Sequence, residues 1–451
     1  MQVEYIHNST VKVDDGETSI LCDPWIADGA YYGSWAQYPP IEQEPEDFND
    51  VDYIYISHIH PDHCHIPTLE RMDKDIPVLV HDFKWDYLVN NIERLGFDTH
   101  ELPHDERFHL GGDTYIDILA SDDCDPEVCG AFFGCPWYAE DASSERTNGS
   151  TQIDTLAVID DGESTVVNVN DCRWPLTQQA AFRVAEEYDS VDFLMANYRP
   201  AHGYPQCRFD YSPAQKKQIS AQREQNLMES SLEFAKVLEP DYYMPFAGSY
   251  AIAGSNHDVN RYMPNTRKIE AKRFFEQSDV GGEVVLLNSG DHFDLVTGEQ
   301  SSQYVPISEI ERAEHIETEL AGREYTYEQD EMPELSDFEP KVPDAYEHFE
   351  AKRTDIGYSS DTLIYLQLTD DQYLRVSADG SGYEYVDSPE ADDRPEKRIT
   401  IKTDPRLMYR ILRGPKYAHF NNAVIGSHLR WAIEPDEYDR SLFYCLNFFH
   451  C

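Results

Sequence analysis

The sequence predicts an α/β sandwich followed by a smaller α+β domain. Strand pairs and strand–helix units alternate along the first 297 residues, an acidic stretch with several prolines follows, and the end of the chain returns to strand-like alternation. A chain of 451 residues is long enough for two or three domains. We therefore expect a first domain over residues 1–297, a connector over 298–349 and an α+β domain over 350–451.

The first domain begins with a predicted β-hairpin. Apolar positions flank the turn Asp14-Asp15-Gly16-Glu17, and the second strand ends at Asp23-Pro24. The apolar run VDYIYIS, residues 51–57, is typical of a buried strand, and a histidine-rich loop and a helix start at Ile66 follow it. This order places a polar loop at the end of a strand.

Further units of the same kind continue to residue 297. A strand over 77–80 precedes a helix that ends near Gly96, and Ser212-Pro213 begins a long helix by the serine N-cap and proline N1 rule. That helix is predicted to end near Leu238. The remaining strand candidates cover residues 113–121, a hairpin over 155–169, 191–198 and 283–288.

The last third of the chain changes in composition twice. Residues 298–349 are rich in acids and interrupted by prolines, which favours a solvated acidic connector. Residues 362–386 then alternate apolar and polar side chains around turn signals, as in an antiparallel meander, and a short helix ends at Gly414.

The charge of the chain excludes some classes of partner. With 36 basic and 86 acidic residues the formal net charge is −50, which repels nucleic acid and anionic membranes. No apolar run approaches the roughly 18 residues of a membrane span, and no signal segment precedes the first strand. Nine scattered cysteines without a CxxC pair fit reduced thiols. We therefore expect a cytoplasmic protein without nucleic-acid or membrane partners.

The most specific motif is His58-Ile59-His60-Pro61-Asp62-His63, directly after a predicted buried strand. Imidazoles and a carboxylate at this density supply the nitrogen and oxygen ligands that transition metals need. In the usual geometry His58 and His60 hold one metal, while Asp62 and His63 hold a second about 3.5–4 Å away. The neighbouring residues 64 and 65 fit supporting positions better than ligand positions.

The hairpin that ends in ILCDPW, the HxHxDH motif and a later aspartate at a strand end resemble the metallo-β-lactamase superfamily. The resemblance implies a four-layer αββα sandwich, a metal-binding catalytic domain, with its metals at one edge of the two sheets. It implies that Asp171 is the bridging ligand and, with Asp62, a catalytic residue. An aspartate at a strand end is also a common turn or helix cap.

Two positions depart from the superfamily pattern. Asp122, Asp123 or Cys124 stands where a histidine is expected after the strand near 116–120, and Ala247 stands where many relatives keep the histidine of a PxH motif. His202 and His257 are spare histidines in motif-like loops, and either could complete the metal site or be an ordinary loop residue. The pattern alone leaves the metal count open.

A closer resemblance within the superfamily is to the CMP-N-acetylneuraminate hydroxylase group. It is carried by SHIHPDHCHIPTLE, NVNDC, GYPQC, MPFAGSY and the C-terminal GPKYAHFNNAVIGSHLRW. The resemblance implies a sterol-carrier-like C-terminal domain and hydroxylation of a nucleotide-linked sialic acid with iron and O₂, using electrons from a Rieske centre. The CxH…CxxH pattern of a Rieske centre is missing from the sequence. The electrons are therefore expected from a separate ferredoxin or Rieske-type protein, unless the chemistry differs.

One segment departs from the acidic composition. Residues 199–273 contain eleven bases and eight acids and so have a formal charge of +3, against −53 for the remainder. An ion-paired helix face explains some of these bases, and a clamp for a phosphate or carboxylate explains others equally well. The candidate substrate-binding residues are Arg199, Tyr204, Arg208, Tyr250, Arg261, Arg267 and Lys268.

Three functions remain open from the sequence. The first is a non-haem, di-iron, O₂-dependent oxygenase that acts on a small anionic substrate, either a nucleotide sugar or an N-acyl or amino compound. The alternative is a zinc- or manganese-dependent hydrolase of a phosphodiester, lactone or amide. A binding module without catalysis is compatible with Ala247.

Overall fold

A computed structural model describes residues 1–83, 85–121, 154–389 and 397–451. The strands are β1 (Gln2–His7), β2 (Thr10–Asp14), β3 (Ser19–Cys22), β4 (Trp35–Gln37), β5 (Tyr53–Tyr55), β6 (Val78–His81), β7 (Thr99–Leu102), β8 (Phe108–Gly111), β9 (Thr114–Ala120), β10 (Thr155–Asp160), β11 (Thr165–Asn168), β12 (Phe193–Asn197), β13 (Tyr242–Phe246), β14 (Tyr250–Ile252), β15 (Glu283–Val284), β16 (Asp291–Asp294), β17 (Glu299–Gln300), β18 (Leu363–Thr369), β19 (Gln372–Ser377), β20 (Tyr383–Val386), β21 (Arg398–Lys402) and β22 (Arg430–Glu434).

Helices connect and cover these strands. The α-helices are α1 (Ala30–Gly33), α2 (Ile66–Arg71), α3 (Tyr87–Glu93), α4 (Gln178–Glu187), α5 (Pro213–Leu238), α6 (Lys268–Glu276), α7 (Glu309–His315), α8 (Leu335–Phe338), α9 (Val342–Asp355), α10 (Pro405–Leu412), α11 (Phe420–Ile425) and α12 (Arg440–Leu446). Short 3₁₀ turns cover Pro45–Phe48, Gly254–Tyr262 and Thr326–Gln329, and a π-helical turn covers Ile316–Leu320.

The first domain consists of two facing mixed sheets between helices. The first sheet has the order β17-β16-β1-β2-β3-β5-β6-β7, and the second has the order β15-β13-β12-β11-β10-β9-β8. Val13 and Ile116 belong to the core between the sheets. Ile54 packs with Leu69 of α2 on the outer side of the first sheet, and Phe234 of α5 lies on the outer side of the second. This is the expected αββα sandwich.

Local sequence signals predict several elements well. The first hairpin pairs Asp14 with Ser19, and the second hairpin pairs Asp160 with Thr165. The long helix runs from Pro213 to Leu238, as expected, because the Ser212 side chain accepts a hydrogen bond from the N–H of Gln215. These elements depend on turn and cap residues that are close in sequence.

The C-terminal part is an α+β unit, as expected. Its five-stranded sheet has the order β20-β19-β18-β21-β22, and α10 packs on it with Leu407 and Ile411 buried. Its likeness to a sterol-carrier fold stays a prediction. The unit shares one hydrophobic core with the first domain, because Trp25 and Trp35 lie in the same buried cluster as Leu407.

The segment over residues 298–349, which was expected to be a solvated connector, contributes side chains to the hydrophobic core. Within residues 298–349, the side chains of Tyr325, Tyr327, Phe338 and Phe349 are at most 2% exposed and lie in the shared core. The prolines mark helix starts here, as at the beginning of α9, while the acids occupy the outer faces. The connector is therefore part of the packed structure, and the division into domains stays a prediction.

In the parts of the chain that the structure describes, no helix combines the length and the apolar composition needed to cross a membrane.

Candidate metal centre

Asp23 organises the histidine loop that follows β5. Its carboxylate accepts hydrogen bonds from the backbone N–H and the hydroxyl of Ser57, each at 2.7 Å, and from Nδ1 of His63 at 2.8 Å. Asp23 and Ser57 are fully buried, so these hydrogen bonds fix the loop against the end of the first hairpin. The aspartate of the DPW sequence therefore orients a histidine of the motif.

One set of ligand atoms comes from His58, His60 and Asp171. One ligand atom from each residue lies within 4.8 Å of the other two. Nε2 of His58 and Nδ1 of His60 are 2.9 Å apart, and Nε2 of His58 is 3.9 Å from Oδ2 of Asp171. Two imidazole nitrogens and a carboxylate oxygen at these distances can bind a single metal ion.

Asp62 and His63 lie on the other side of Asp171, and we name these three residues the second set; unlike those of the first set, their ligand atoms do not all lie within 4.8 Å of one another. Nε2 of His63 lies 3.6 Å from Oδ2 of Asp62 and 3.9 Å from Oδ1 of Asp171. The two carboxylate oxygens of Asp171 therefore face two different histidines. The side chain of Asn197 donates a hydrogen bond of 2.9 Å to Oδ1 of Asp171 and orients it. This geometry is that of a carboxylate shared by two ligand sets.

Tyr31 holds the other oxygen of Asp62. Its hydroxyl donates a 2.6 Å hydrogen bond to Oδ1, which leaves Oδ2 directed toward His63. The backbone at Tyr31 has φ 51°, in the left-handed region that is unfavourable for a tyrosine, between Gly29 and Gly33. The strain is retained at a residue that contacts the candidate centre.

The protonation states suit metal binding. Burial and the neighbouring histidines His63 and His60 lower the pKa of His58 far below its usual value, and burial lowers the pKa of His60 to about 4. Burial alone would lower the pKa of His63 as well, but the carboxylates of Asp62 and Asp23 raise it to about 10. His58 and His60 are therefore neutral imidazoles at neutral pH, whereas metal binding at His63 would release a proton.

Asp154 is a candidate that the sequence did not reveal. Its Oδ1 lies 3.9 Å from Nε2 of His58, at the residue before β10. The only sequence signal is that an acidic residue stands directly before a strand, and the start of that strand lies beside the metal motif. Asp122, Asp123 and Cys124, the residues predicted for this place, lie outside the described residues.

The two spare histidines have different surroundings. His202 accepts a hydrogen bond from the N–H of Tyr204 through Nδ1, and burial together with Arg223, Arg173 and His60 lowers its pKa to about 3. His202 therefore lies beside the centre as a neutral imidazole. The expectation for His257 is corrected, because its ring contacts the carbonyl of Gly254 and the carboxylate of Glu317, away from the histidine loop.

A pocket opens beside the second ligand set. Asp62, His63 and Asp171 line it together with Arg173 and Arg199, and Ala247 also forms part of its wall. The small side chain of Ala247 leaves space next to Asp62 instead of a ligand. We name this cavity the metal pocket.

The predicted substrate-binding residues separate into two groups. Arg199, Tyr250, Arg267 and Lys268 line a second cavity. Arg199 also lines the metal pocket, so these four residues lie near it. Tyr204 instead contacts Tyr211 and positions His202 through its backbone.

Arg208 and Arg261 are corrected. Arg208 is 2% exposed and its guanidinium pairs with Asp210 and Asp436, which attaches the first domain to the C-terminal unit. Arg261 is exposed and pairs with Asp258. Both cations already have carboxylate partners, so neither is available for a substrate anion.

The C-terminal unit reaches the histidine loop. Nδ2 of Asn421 lies 3.3 Å from Nε2 of His60, and Nε2 of His428 donates a 2.8 Å hydrogen bond to the backbone carbonyl of Tyr31. Both residues belong to the GPKYAHFNNAVIGSHLRW segment. The sequence placed them in a separate domain, and only the fold brings them to the centre.

Residues 18–128 match the family model of the beta-lactamase superfamily domain. The match includes the DPW segment and the HxHxDH motif, but not Asp171, which the two ligand sets share. The resemblance found from the motifs is thereby confirmed for the domain and its fold.

The chain is similar to two curated relatives and to one solved structure. A protein of Mycobacterium tuberculosis named as a Rieske 2Fe-2S iron-sulfur protein is 29% identical over 252 residues, 55% of this chain and 44% of that protein. A cytidine monophosphate-N-acetylneuraminic acid hydroxylase of Danio rerio is 24% identical over 280 residues, 58% of this chain and 40% of that protein. The chain therefore matches less than half the length of these curated relatives. The structure of an isothiocyanate hydrolase from Delia radicum gut bacteria has a TM-score of 0.45 and 13% identity, covering 65% of this chain and 99% of that one.

Proposed function

We propose that this protein is a non-haem, dinuclear iron oxygenase that acts on a small anionic substrate. The observation that carries the proposal is the carboxylate of Asp171, whose two oxygens face His58 in one ligand set and His63 in the other. Histidine nitrogens and carboxylate oxygens without a thiolate fit iron, and also zinc or manganese. The names of the two relatives, a hydroxylase and an iron–sulfur protein, support iron with O₂.

The roles of the residues follow from their positions. His58, His60 and Asp171 would hold one iron, with Asp154 beside His58, and Asp62, His63 and Asp171 would hold the other. A bound iron pair supplies the redox chemistry by which O₂ oxidises an unreactive bond. Tyr31 keeps Asp62 oriented, Asn197 orients Asp171, and His202 is a buried neutral imidazole that interacts electrostatically with His60.

The substrate would enter through the metal pocket. Arg173 and Arg199 line this pocket, and no carboxylate of a described residue lies within ion-pair distance of either guanidinium. A positive wall beside two histidine–aspartate sets, in a chain with a net charge of −50, attracts a small anion and excludes polyanions. A nucleotide sugar or an N-acyl or amino compound fits this description.

An external electron donor is part of the proposal. Oxygenation with one atom of O₂ requires two electrons, and the sequence contains no CxH…CxxH pattern for a Rieske centre. A separate ferredoxin or Rieske-type protein would supply these electrons. A cytoplasmic location, where such donors are found, also stays a prediction.

A metal-dependent hydrolase is the second candidate. The same ligands hold dinuclear zinc or manganese in hydrolases, where a metal lowers the pKa of water toward 7. The isothiocyanate hydrolase likeness concerns the fold alone. The choice of metal separates the two functions.

Oxygen uptake tests the proposed function. We expect wild-type protein that is reduced with dithionite and freed of excess reductant to consume O₂ in an oxygen electrode, at about one O₂ per chain. The Asp171→Ala variant should consume none, whereas Asp189→Ala, which changes an exposed aspartate, should behave as wild type. A wild-type protein that does not consume O₂ but hydrolyses a model ester would establish the hydrolase instead.

A further inference from the structure

A second cavity adjoins the metal pocket. It is lined by four cations and several aromatic rings, and we name it the arginine–tyrosine pocket after Arg199, Lys268, Arg312, Tyr198, Tyr250 and Tyr304. Sequence patterns indicated Arg199, Tyr250 and Lys268, while Arg312 and Tyr304 come from the segment expected as a connector.

Three of the four cations of this pocket lack an ion-pair partner among the described residues. Arg199 donates to the carbonyl of Pro264, but its Nε is buried without a hydrogen-bond partner among the described residues. Arg312 donates to the carbonyl of Tyr250 at 3.1 Å, and Lys268 donates to the carbonyl of Leu287 at 3.0 Å. Across the described parts of the chain, none of the three forms an ion pair within 4.0 Å of a carboxylate, although Glu309 is near enough to Arg312, and Asp291 to Lys268, to interact with it electrostatically.

Acidic residues nearby do not neutralise this charge. Arg267, also in the wall, pairs with Glu270. Glu309 is the carboxylate in the lining, and it is exposed at the start of α7. Three cations therefore face one carboxylate that pairs with none of them, in a chain with a net charge of −50.

The charges that line this pocket favour the binding of an anion. Burial and the nearby charge of Arg199 lower the pKa of Arg312 to about 10, and burial lowers the pKa of Lys268, which is 5% exposed, to about 7. Buried cations without a counter-ion are costly, and a bound oxyanion would relieve that cost through charge-assisted hydrogen bonds. The free Nε of Arg199 is a donor for such a bond.

Arg199 connects this pocket to the metal centre. Its side chain lines both cavities and packs against Gly248, where an added Cβ would lie 2.6 Å from Cβ of Arg199. Gly248 also has φ 75°, which glycine adopts without strain. The base of the Arg199 side chain is thus packed tightly against the backbone at Gly248.

We propose that the arginine–tyrosine pocket binds the acidic group, a phosphate or a carboxylate, of the molecule whose reacting part lies in the metal pocket. Arg199 and Arg312 form charge-assisted hydrogen bonds to the oxyanion, Lys268 adds a third positive charge, and the tyrosines form the walls. The assignment of that molecule as the substrate rests on the proposed function, whereas oxyanion binding itself does not.

The test measures anion binding without metal. Inorganic phosphate and acetate are titrated by calorimetry into the His60→Ala protein after chelator treatment and desalting. We expect saturable binding of at least one of the two anions, with phosphate favoured if the group is a phosphoryl group and acetate nearly equal if it is a carboxylate. Changing both Arg199 and Arg312 to Gln should weaken binding at least tenfold.

A charge-matched variant controls for general electrostatics. Lys217→Gln with Arg273→Gln removes the same two charges from exposed positions and should bind the anion as tightly as the parent protein. Circular dichroism verifies that each variant is folded. Absence of binding of both anions, or equal loss in both double variants, would overturn the proposal. Anion binding in this titration, together with a wild-type protein that takes up no O₂ in the oxygen electrode, would support the anion site and reject only the oxygenase.

Discussion

Replacing Asp171 with alanine is expected to reduce the metal content from two ions per chain to none. Asp171 contributes one oxygen to each ligand set, so its loss leaves each set with a histidine and one or two neighbours, fewer than a stable site requires. His60→Ala should differ, because His60 belongs to the first set only. We expect it to lose at least one ion, and elemental analysis of both purified variants measures the difference.

The control for this prediction is Asp189→Ala, an exposed aspartate outside both ligand sets, which should retain the wild-type metal content. Circular dichroism separates loss of metal from loss of fold. Full metal content in a folded Asp171→Ala protein would contradict the shared carboxylate. Metal affinity in such variants typically falls far more than the 10- to 100-fold seen when supporting residues such as Asn197 are changed.

Phe338→Ala is expected to destabilise the whole protein by about 3–5 kcal/mol, as measured by denaturant unfolding. Phe338 is fully buried, packs edge-to-face on Tyr409 of α10 and lies in the core shared by the first domain and the C-terminal unit. Truncating it would leave a cavity that the surrounding side chains cannot close.

The matched control for Phe338 is Met332, six positions earlier in the same acidic segment and 59% exposed. Met332→Ala should change the free energy of unfolding by less than about 0.5 kcal/mol. If both variants unfolded as wild type does, residues 298–349 would be the solvated connector that their composition suggests.

The elements that the sequence predicts correctly depend on neighbouring residues. The helix over Pro213–Leu238 begins at a serine that caps its own first turn, and the hairpin at Gly162 is determined by its turn. The ligand motif is likewise contiguous, so His58, His60, Asp62 and His63 could be found together. Asp171 was reached through the resemblance.

The features that the sequence does not reveal depend on distant contacts. Asn421 meets His60 across 361 positions, and Asp436 pairs with Arg208 across 228. A cation such as Arg208 has the same appearance in the sequence whether its partner is a substrate or a distant aspartate. The burial of Phe338 was hidden for a similar reason, because acidic outer faces dominate the composition of its segment.

The most direct test of the central claim is the metal content of protein purified without added metal, measured by elemental analysis together with its ultraviolet–visible spectrum. We predict two iron ions per chain, with an iron spectrum that changes on reduction and returns on exposure to O₂. A colourless protein with two zinc or manganese ions, or a protein that binds one metal ion or none, would contradict it.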